Sequence, residues 1–264
     1  MRRLVHLSDL HFGRDRSELL EPLTRAINSL APDLVIISGD FTQRATGDQF
    51  AAAAAFLKAL NPPTLSVPGN HDVPLHNLFM RIFLPWRRYR RWINGNLQPD
   101  FEDAEMVVIG VNTVNPFAWQ RGRFRSRAMR RVCVAFSNPT AMRTHIVVTH
   151  HPMEHLPHEA RSLMRGAAEG LRQLSECGVD VILSGHLHRW RAEPFAHVDG
   201  RSSALQVHAG TTLSNRLRGE INDFNLLEID KGRFTVIRYA FNDCAVEFSA
   251  ISSVTFQQMP DGWK

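Results

Sequence analysis

The chain has 264 residues, a formal net charge of +5 and 44% hydrophobic residues, which suits one α/β domain of the larger kind. No run approaches the ~18 uninterrupted apolar residues of a membrane span, and Asp9 interrupts the basic and apolar start too early for a signal peptide. Cys133, Cys177 and Cys244 are widely spaced and form no Cys-x-x-Cys, so they read as core thiols of a cytoplasmic protein, with neither disulfides nor thiolate zinc expected.

In chain order, an apolar run predicts a strand at Leu4–Leu7, which runs into Asp9-Leu10-His11. A helix near Ser17–Leu30 leads to a strand at Leu34–Ser38 and then Gly39-Asp40. A second helix near Gly47–Leu60, with the good helix formers Ala51–Ala55, precedes a strand at Thr64–Val67 and Gly69-Asn70-His71-Asp72. Prolines 32, 62, 63 and 68 punctuate this half where helices end or turns begin. Later strands are expected at Met106–Val111, His145–Thr149, Val179–Ser184, Ala204–His208, Phe224–Ile229 and Arg233–Tyr239. His145–Thr149 closes on His150-His151 and Val179–Ser184 on Gly185-His186-Leu187-His188. Asp230-Lys231-Gly232 marks a hairpin, and Phe248–Trp263 is apolar enough to dock on the chain's own core or on a neighbour.

Taken singly, these polar segments are ordinary loop and turn chemistry. Together they are five strand ends that each deliver Asp, Asn or His, and ligands of α/β sheets gather where strands end. Mixed carboxylate and imidazole donors suit two adjacent divalent ions of the Mn, Fe or Zn kind. Two such ions about 3.5–4 Å apart need a bridging anion, and water between them loses a proton near neutral pH, which yields a hydroxide able to attack phosphorus.

In order and wording the set resembles the calcineurin-like metallophosphoesterase superfamily. A further likeness to bacterial cyclic-nucleotide and glycerophosphodiester phosphodiesterases runs through Ala209-Gly210-Thr211 and Arg218-Gly219-Glu220. The resemblance implies two packed mixed β-sheets flanked by helices. It makes Asp9, His11 and His188 ligands of one metal, Asp40 the bridge, and Asn70, His150 and His186 ligands of the second. His151 falls behind His150 in that pattern, outside the ligand set. His71 becomes the candidate general acid, with a structural turn histidine as its plain alternative. Gln43 stands where phosphoprotein phosphatases of the superfamily carry a carboxylate, which argues against that activity.

The expected organisation is a single domain over residues 1–264 with a basic and aromatic helical cap inserted at about 75–103. Five arginines are interleaved there with bulky apolar residues, and a second basic cluster runs from Arg121 to Arg131. Arg44, Trp86, Tyr89 and Trp92 are the candidate substrate contacts. The leading function is a dinuclear phosphodiesterase for small diesters, cyclic nucleotides or glycerophosphodiesters. A lipid-directed phosphodiesterase or pyrophosphatase at the membrane surface is the alternative, and a non-catalytic scaffold is disfavoured because every ligand position is filled. Besides the small diester, an anionic membrane surface and a second copy of the chain are candidate partners. Nucleic acid is not expected, since no recognised module accompanies the charge.

Overall fold

The computed structural model describes residues 1–264 except 138–142, 155–161, 199–200, 231 and 261. The first half alternates strand and helix: β1 (Arg2–Leu7), α1 (Leu20–Leu30), β2 (Leu34–Ile37), α2 (Gly47–Ala59) and β3 (Thr64–Ser66). Two short helices follow, α3 (Leu78–Phe83) and α4 (Arg87–Trp92), and then β4 (Asp100–Glu102) and β5 (Met106–Gly110). Next come α5 (Ser126–Phe136), β6 (Thr144–Val148), α6 (Ala167–Glu176) and β7 (Val181–Ser184). The chain ends in strands: β8 (Arg191–Val198), β9 (Arg201–His208), β10 (Asp223–Asp230), β11 (Arg233–Asn242), β12 (Glu247–Met259) and β13 (Gly262–Trp263).

These strands make two mixed sheets. The first runs β3-β2-β1-β10-β11-β12 and the second β13-β9-β7-β6-β5-β4, with β8 antiparallel on β9. The far end of β12 pairs with β13 at Gln258↔Trp263 and joins the sheets along one edge. Because both faces of each sheet are covered, the central strands read as unbroken apolar runs whose residues alternate between two cores. Leu4, Leu34, Ile36, Ile146, Val148, Val181 and Leu183 point between the sheets. Val5, Leu7, Val35 and Ile37 pack outward with Leu23, Ile27, Phe50 and Ala53 of α1 and α2. Val147 and Ile182 pack on the other side with Met129, Val132 and Leu174 of α5 and α6.

Helix limits follow local chemistry. The Thr46 side chain accepts from Gln49 N–H at the start of α2. Helix α1 stops where Ala31 turns left-handed at φ 45°. The parallel trio β1, β2 and β3 and the parallel run β5, β6, β7 and β9 send the loops after each strand to the sheet margin that carries the polar segments. The terminal segment docks on its own core, with β12 paired along β11 and Phe256 and Trp263 buried between the sheets. Lys231 of the expected hairpin lies outside the described residues, while Asp230 and Arg233 pair across it.

Three expectations change. Tyr89 is fully buried, packed edge-on to Phe41 and Phe50, with its hydroxyl donating to Ser66 Oγ at 3.3 Å. It anchors α4 to α2 from inside the core and is no substrate contact. Cys133 on α5 and Cys177 just after α6 form a disulfide with Cα atoms 5.1 Å apart, and Cys244 is exposed. Helix packing brought together two cysteines whose spacing of 44 residues carried no motif. Helices α5 and α6 form where no helix is expected from the sequence, α5 overlapping the Arg121–Arg131 cluster. Among the described residues no helix is long and apolar enough to cross a membrane.

The bridge predicts a thiol count. In the oxidised native protein, mass-resolved alkylation should find Cys244 alone reactive. Reduction should lower the unfolding free energy by about 2–4 kcal/mol, as expected for a loop of this length. Labelling of all three thiols without reductant would show that the bridge does not form.

Candidate metal centre

The five polar segments converge. Asp9 and His11 follow β1, Asp40 follows β2, Asn70 and His71 follow β3, His150 and His151 follow β6, and His186 and His188 follow β7. Asp9, His11, Asp40, His186 and His188 all adopt positive φ, between 50° and 72°. Left-handed backbone at a non-glycine residue costs of order 1–3 kcal/mol and persists only where the surroundings enforce it. Here it folds each strand end back so that its side chain points across the gap between the sheets.

Two glycines make the close approach of these loops feasible. Gly39 sits at φ 100°, and a Cβ there would stand 2.7 Å from His150 Nδ1 and 2.8 Å from Gly69 N. A Cβ on Gly69 would stand 2.1 Å from Asp40 Oδ1 and 2.2 Å from its backbone nitrogen. Asp72 then staples the loops: its buried carboxylate accepts from the N–H groups of Gly69, Phe41 and Thr42 and from the Thr42 hydroxyl. Burial and the nearby Asp40 push that carboxyl up to about 7.

Asp40 lies at the middle. Its Oδ2 is 3.6 Å from His11 Nε2 and 3.4 Å from His150 Nε2, while Oδ1 accepts the His71 backbone N–H at 2.8 Å. On one side, Asp9 Oδ1 stands 3.2 Å from His188 Nε2 and 3.5 Å from His11 Nε2. The two imidazole nitrogens are themselves 3.1 Å apart. On the other side, His150 Nε2 is 3.1 Å from Asn70 Oδ1 and 3.3 Å from His186 Nδ1. Asp9, His11 and His188 form one buried donor group, and Asp9, Asp40 and His150 another, each compact enough to hold a metal ion.

Ring orientation has a common cause. Nδ1–H of His150 donates to the Ser38 carbonyl at 2.8 Å, that of His188 to Arg216 at 3.0 Å, and that of His71 to Gln43 at 3.0 Å. A carbonyl can only accept, so each ring is held as the Nδ1–H tautomer with Nε2 turned inward, the usual arrangement behind a metal-binding imidazole. His151 differs. Its Nε2–H donates to Gln120 O at 2.9 Å and its Nδ1 accepts from the Thr113 hydroxyl at 2.8 Å. Both nitrogens are engaged, so His151 braces His150 and His186 from behind. Burial and the adjacent His150 push its pKa down to about 3.

The electrostatics call for cations. Burial raises the pKa of Asp40, yet the facing imidazoles of His150 and His71 outweigh it and hold the carboxyl far below its ordinary range. Asp9 is likewise held well below by His188 and His11 against the effect of burial. His150 moves the other way, up to about 9, because Asp40 overrides burial. Asp9 Oδ1 is buried without a hydrogen bond, as is His11 Nδ1. Buried carboxylates facing inward nitrogens, with an orphaned oxygen between them, fit bound divalent ions.

Beside this centre opens a cleft of about 450 Å³. Arg14, Arg44, Arg216 and Gln43 line it on the polar side, His71 and Asn70 form its floor, and Val73, Leu75 and Trp119 supply apolar wall. Arg44 is where the sequence placed it. Trp86 and Trp92 do not line the cleft; Trp92 sits under the Arg91 guanidinium at 5.4 Å. Arg14, Arg216 and Trp119 were missed. Arg14 stands three residues past His11, which was the available signal, whereas Arg216 and Trp119 arrive through loops that only the tertiary structure brings in. Ala209-Gly210-Thr211 lies beneath the site, with the Thr211 hydroxyl donating to Asp9 O at 2.8 Å.

A chain whose strand ends assemble two carboxylates and four inward imidazoles in this order belongs to the calcineurin-like phosphoesterase family, whose model matches residues 2–190. It is a phosphoesterase. Among relatives, a probable cyclic nucleotide phosphodiesterase of Rhodopseudomonas palustris is 26% identical over 97% of this chain and 99% of its own length. A glycerophosphodiester phosphodiesterase of Enterobacter lignolyticus is 32% identical over 80 residues, 26% of this chain and 29% of the relative. The UDP-2,3-diacylglucosamine pyrophosphatase of Chlamydia muridarum is 36% identical over 73 residues, 26% of this chain and only 22% of that protein. A dimetal phosphatase from Danio rerio superposes with a TM-score of 0.72 at 11% identity, covering 96% and 98% of the two chains, which shows the shared fold.

The Gly69 contact yields a test. Gly69→Ala forces a methyl group into Asp40, so metal content measured by elemental analysis should fall and turnover should drop by at least about 10²-fold, the scale expected of a misplaced reactive group. A variant with full metal content and full rate would show that Asp40 can move aside.

Proposed function

We propose that the protein is a dinuclear metal-dependent phosphodiesterase acting on small diesters such as cyclic nucleotides or glycerophosphodiesters. The observation that carries this reading is the position of Asp40 Oδ2 between His11 and His150, with donors on both sides. Asp9, His11 and His188 would hold one ion, Asn70, His150 and His186 the other, and Asp40 would be shared. Manganese, iron and zinc all suit these donors. When bound, such ions supply Lewis-acid polarisation of phosphoryl oxygens and acidify water.

The chain's own residues supply the rest. Arg14, Arg44 and Arg216 offer fixed positive charge to the non-bridging oxygens from the open side of the cleft. Gln43 meets His71 Nδ1 with its backbone carbonyl at 3.0 Å and its side-chain Nε2 at 3.3 Å, and its Oε1 lies 3.5 Å from Arg216 Nη1. With Nδ1–H tied down, His71 Nε2 is the ring position free to carry a proton to a leaving alkoxide at the cleft floor. His71→Ala should therefore retain metal and lose about 10²–10⁴-fold on alkyl leaving groups, with a much smaller loss on p-nitrophenolate, which hardly needs a proton. Equal losses on both would assign His71 to positioning the phosphate instead.

A cleft that combines arginines with apolar wall favours a diester, whose second organic arm can rest on Val73, Leu75 and Trp119. Binding that arm in the transition state raises kcat/KM. The metal-loaded protein should prefer bis(p-nitrophenyl) phosphate to p-nitrophenyl phosphate by at least roughly tenfold in kcat/KM, a difference of about 1.4 kcal/mol. Trp119→Ala should shrink that ratio at constant metal content. A preference for the monoester would overturn the diesterase reading. A lipid-linked diester or pyrophosphate is the second reading, favoured by the apolar surface beyond Leu75 and Trp119.

A further inference from the structure

Helix α3 is inside out. Leu78, Phe79, Ile82 and Phe83 occupy its outer face and are 46–66% exposed, while its one charged residue, Arg81, is turned inward and only 6% exposed. The Arg81 guanidinium donates to the carbonyls of Pro74 and Ala118 at 3.1 and 2.8 Å and lies 5.6 Å from the Trp119 ring centroid. Those bonds tie α3 to the neighbouring loop, where Phe117 and Trp119 are 78% and 66% exposed. The Phe79 and Phe83 rings pack against each other, tilted by 41° with centroids 5.0 Å apart. Solvent-exposed helices ordinarily show the opposite polarity, and a contiguous exposed apolar patch marks an interaction surface.

Charge selects the partner. Residues 73–99 contain five arginines and no Asp or Glu, and residues 106–153, which contain Phe117 and Trp119, contain no Asp or Glu either. Arg87, Arg90 and Arg91 are exposed on α4, the helix that follows α3, and Arg121 and Arg123 are exposed just past Trp119. A second copy of the chain would set these arginines against their own like, so self-association is opposed by charge. An apolar face of Leu, Ile, Phe and Trp rimmed by arginines is what an anionic bilayer surface accepts, with aromatic side chains at the acyl boundary and guanidinium groups among lipid phosphates.

We propose that α3 and the 117–119 loop form a docking face for an anionic membrane, and that the face sets the cleft at the level of the lipid headgroups. Leu75 and Trp119 line the cleft, and they continue directly into this face. The phosphoester site therefore opens beside the docking surface and not away from it. This proposal concerns where the protein binds and holds whether or not its substrate is a lipid.

The test is vesicle flotation of the purified full chain. Wild type should bind vesicles containing phosphatidylglycerol at least roughly tenfold more tightly than pure phosphatidylcholine vesicles, with binding that weakens as salt is raised. The double variant Phe79→Asp/Phe83→Asp should lose vesicle binding while keeping its circular dichroism, its metal content and its turnover of bis(p-nitrophenyl) phosphate. Arg90→Glu/Arg91→Glu should bind less tightly and show a shallower salt dependence. Wild type that ignores anionic vesicles, or binds both lipids alike, overturns the proposal. So does sedimentation showing that the Asp pair converts a dimer into a monomer, since the face would then belong to a second copy.

Discussion

Asp40 carries a charge that the fold has placed where water cannot reach it. Burying a carboxylate costs several kcal/mol unless positive charge and hydrogen bonds compensate, and nearly every local feature of the site compensates this one. The His71 backbone N–H occupies Oδ1, and His11 and His150 face Oδ2 from opposite sides. Asp72 fixes the loops that deliver it, and the missing Cβ atoms of Gly39 and Gly69 leave the room it needs. The left-handed turns at Asp9, His11, Asp40, His186 and His188 are strained, and the strain is held because each turn is locked to the next. The Asp9 N–H donates to Gly39 O, the His11 N–H to Asp40 O and the His186 N–H to Asp9 Oδ2. One buried anion thus fixes the geometry of four separate loops.

That dependence explains why the site was legible in the sequence while its rim was not. A strand end delivering a ligand needs the apolar run behind it and a short polar segment, three of them opened by Gly39, Gly69 and Gly185, and these are contiguous in the chain. Hence Asp9, His11, Asp40, Asn70, His71, His150, His186 and His188 could be picked out from local patterns, and the structure brings them together. The cleft walls come from loops whose placement depends on tertiary packing. Arg216 reaches the site from the turn beyond β9, and Trp119 from the loop after β5. Tyr89 shows the reverse error. An aromatic among arginines reads as a surface platform, yet helical periodicity turns it inward onto Phe41 and Phe50 while Arg90 and Arg91 stay outside.

The fold divides along the same line. The strands of the inter-sheet core are continuous hydrophobic runs and were readable as such. Strand β12 was not, because most of its residues are exposed and only Phe248 and Phe256 are buried. Its pairing with β11 satisfies backbone groups more than it buries side chains, which leaves little hydrophobic signature. Helix α5 carried a readable pattern in Ala128, Met129, Val132 and Phe136, all buried on one face. Its arginines interrupt that pattern in the sequence. The Cys133–Cys177 pair followed from the same helix and could be found only once α5 and α6 were seen side by side.

Arginine plays different parts within the cleft and beside it, and burial decides which. Arg81 spends its hydrogen bonds on carbonyls of the protein, so it braces α3 against the 117–119 loop and leaves the helix free to turn its apolar side outward. Arg14, Arg44 and Arg216 face the cleft, where their charge is directed at whatever anion enters. A guanidinium suits both tasks, since its planar donors can be shared among carbonyl oxygens or aimed at phosphate. The exposed aromatic face is therefore built into the rim and not a defect of packing: the bonds that hold Arg81 inward are the same bonds that hold Phe79 and Phe83 outward.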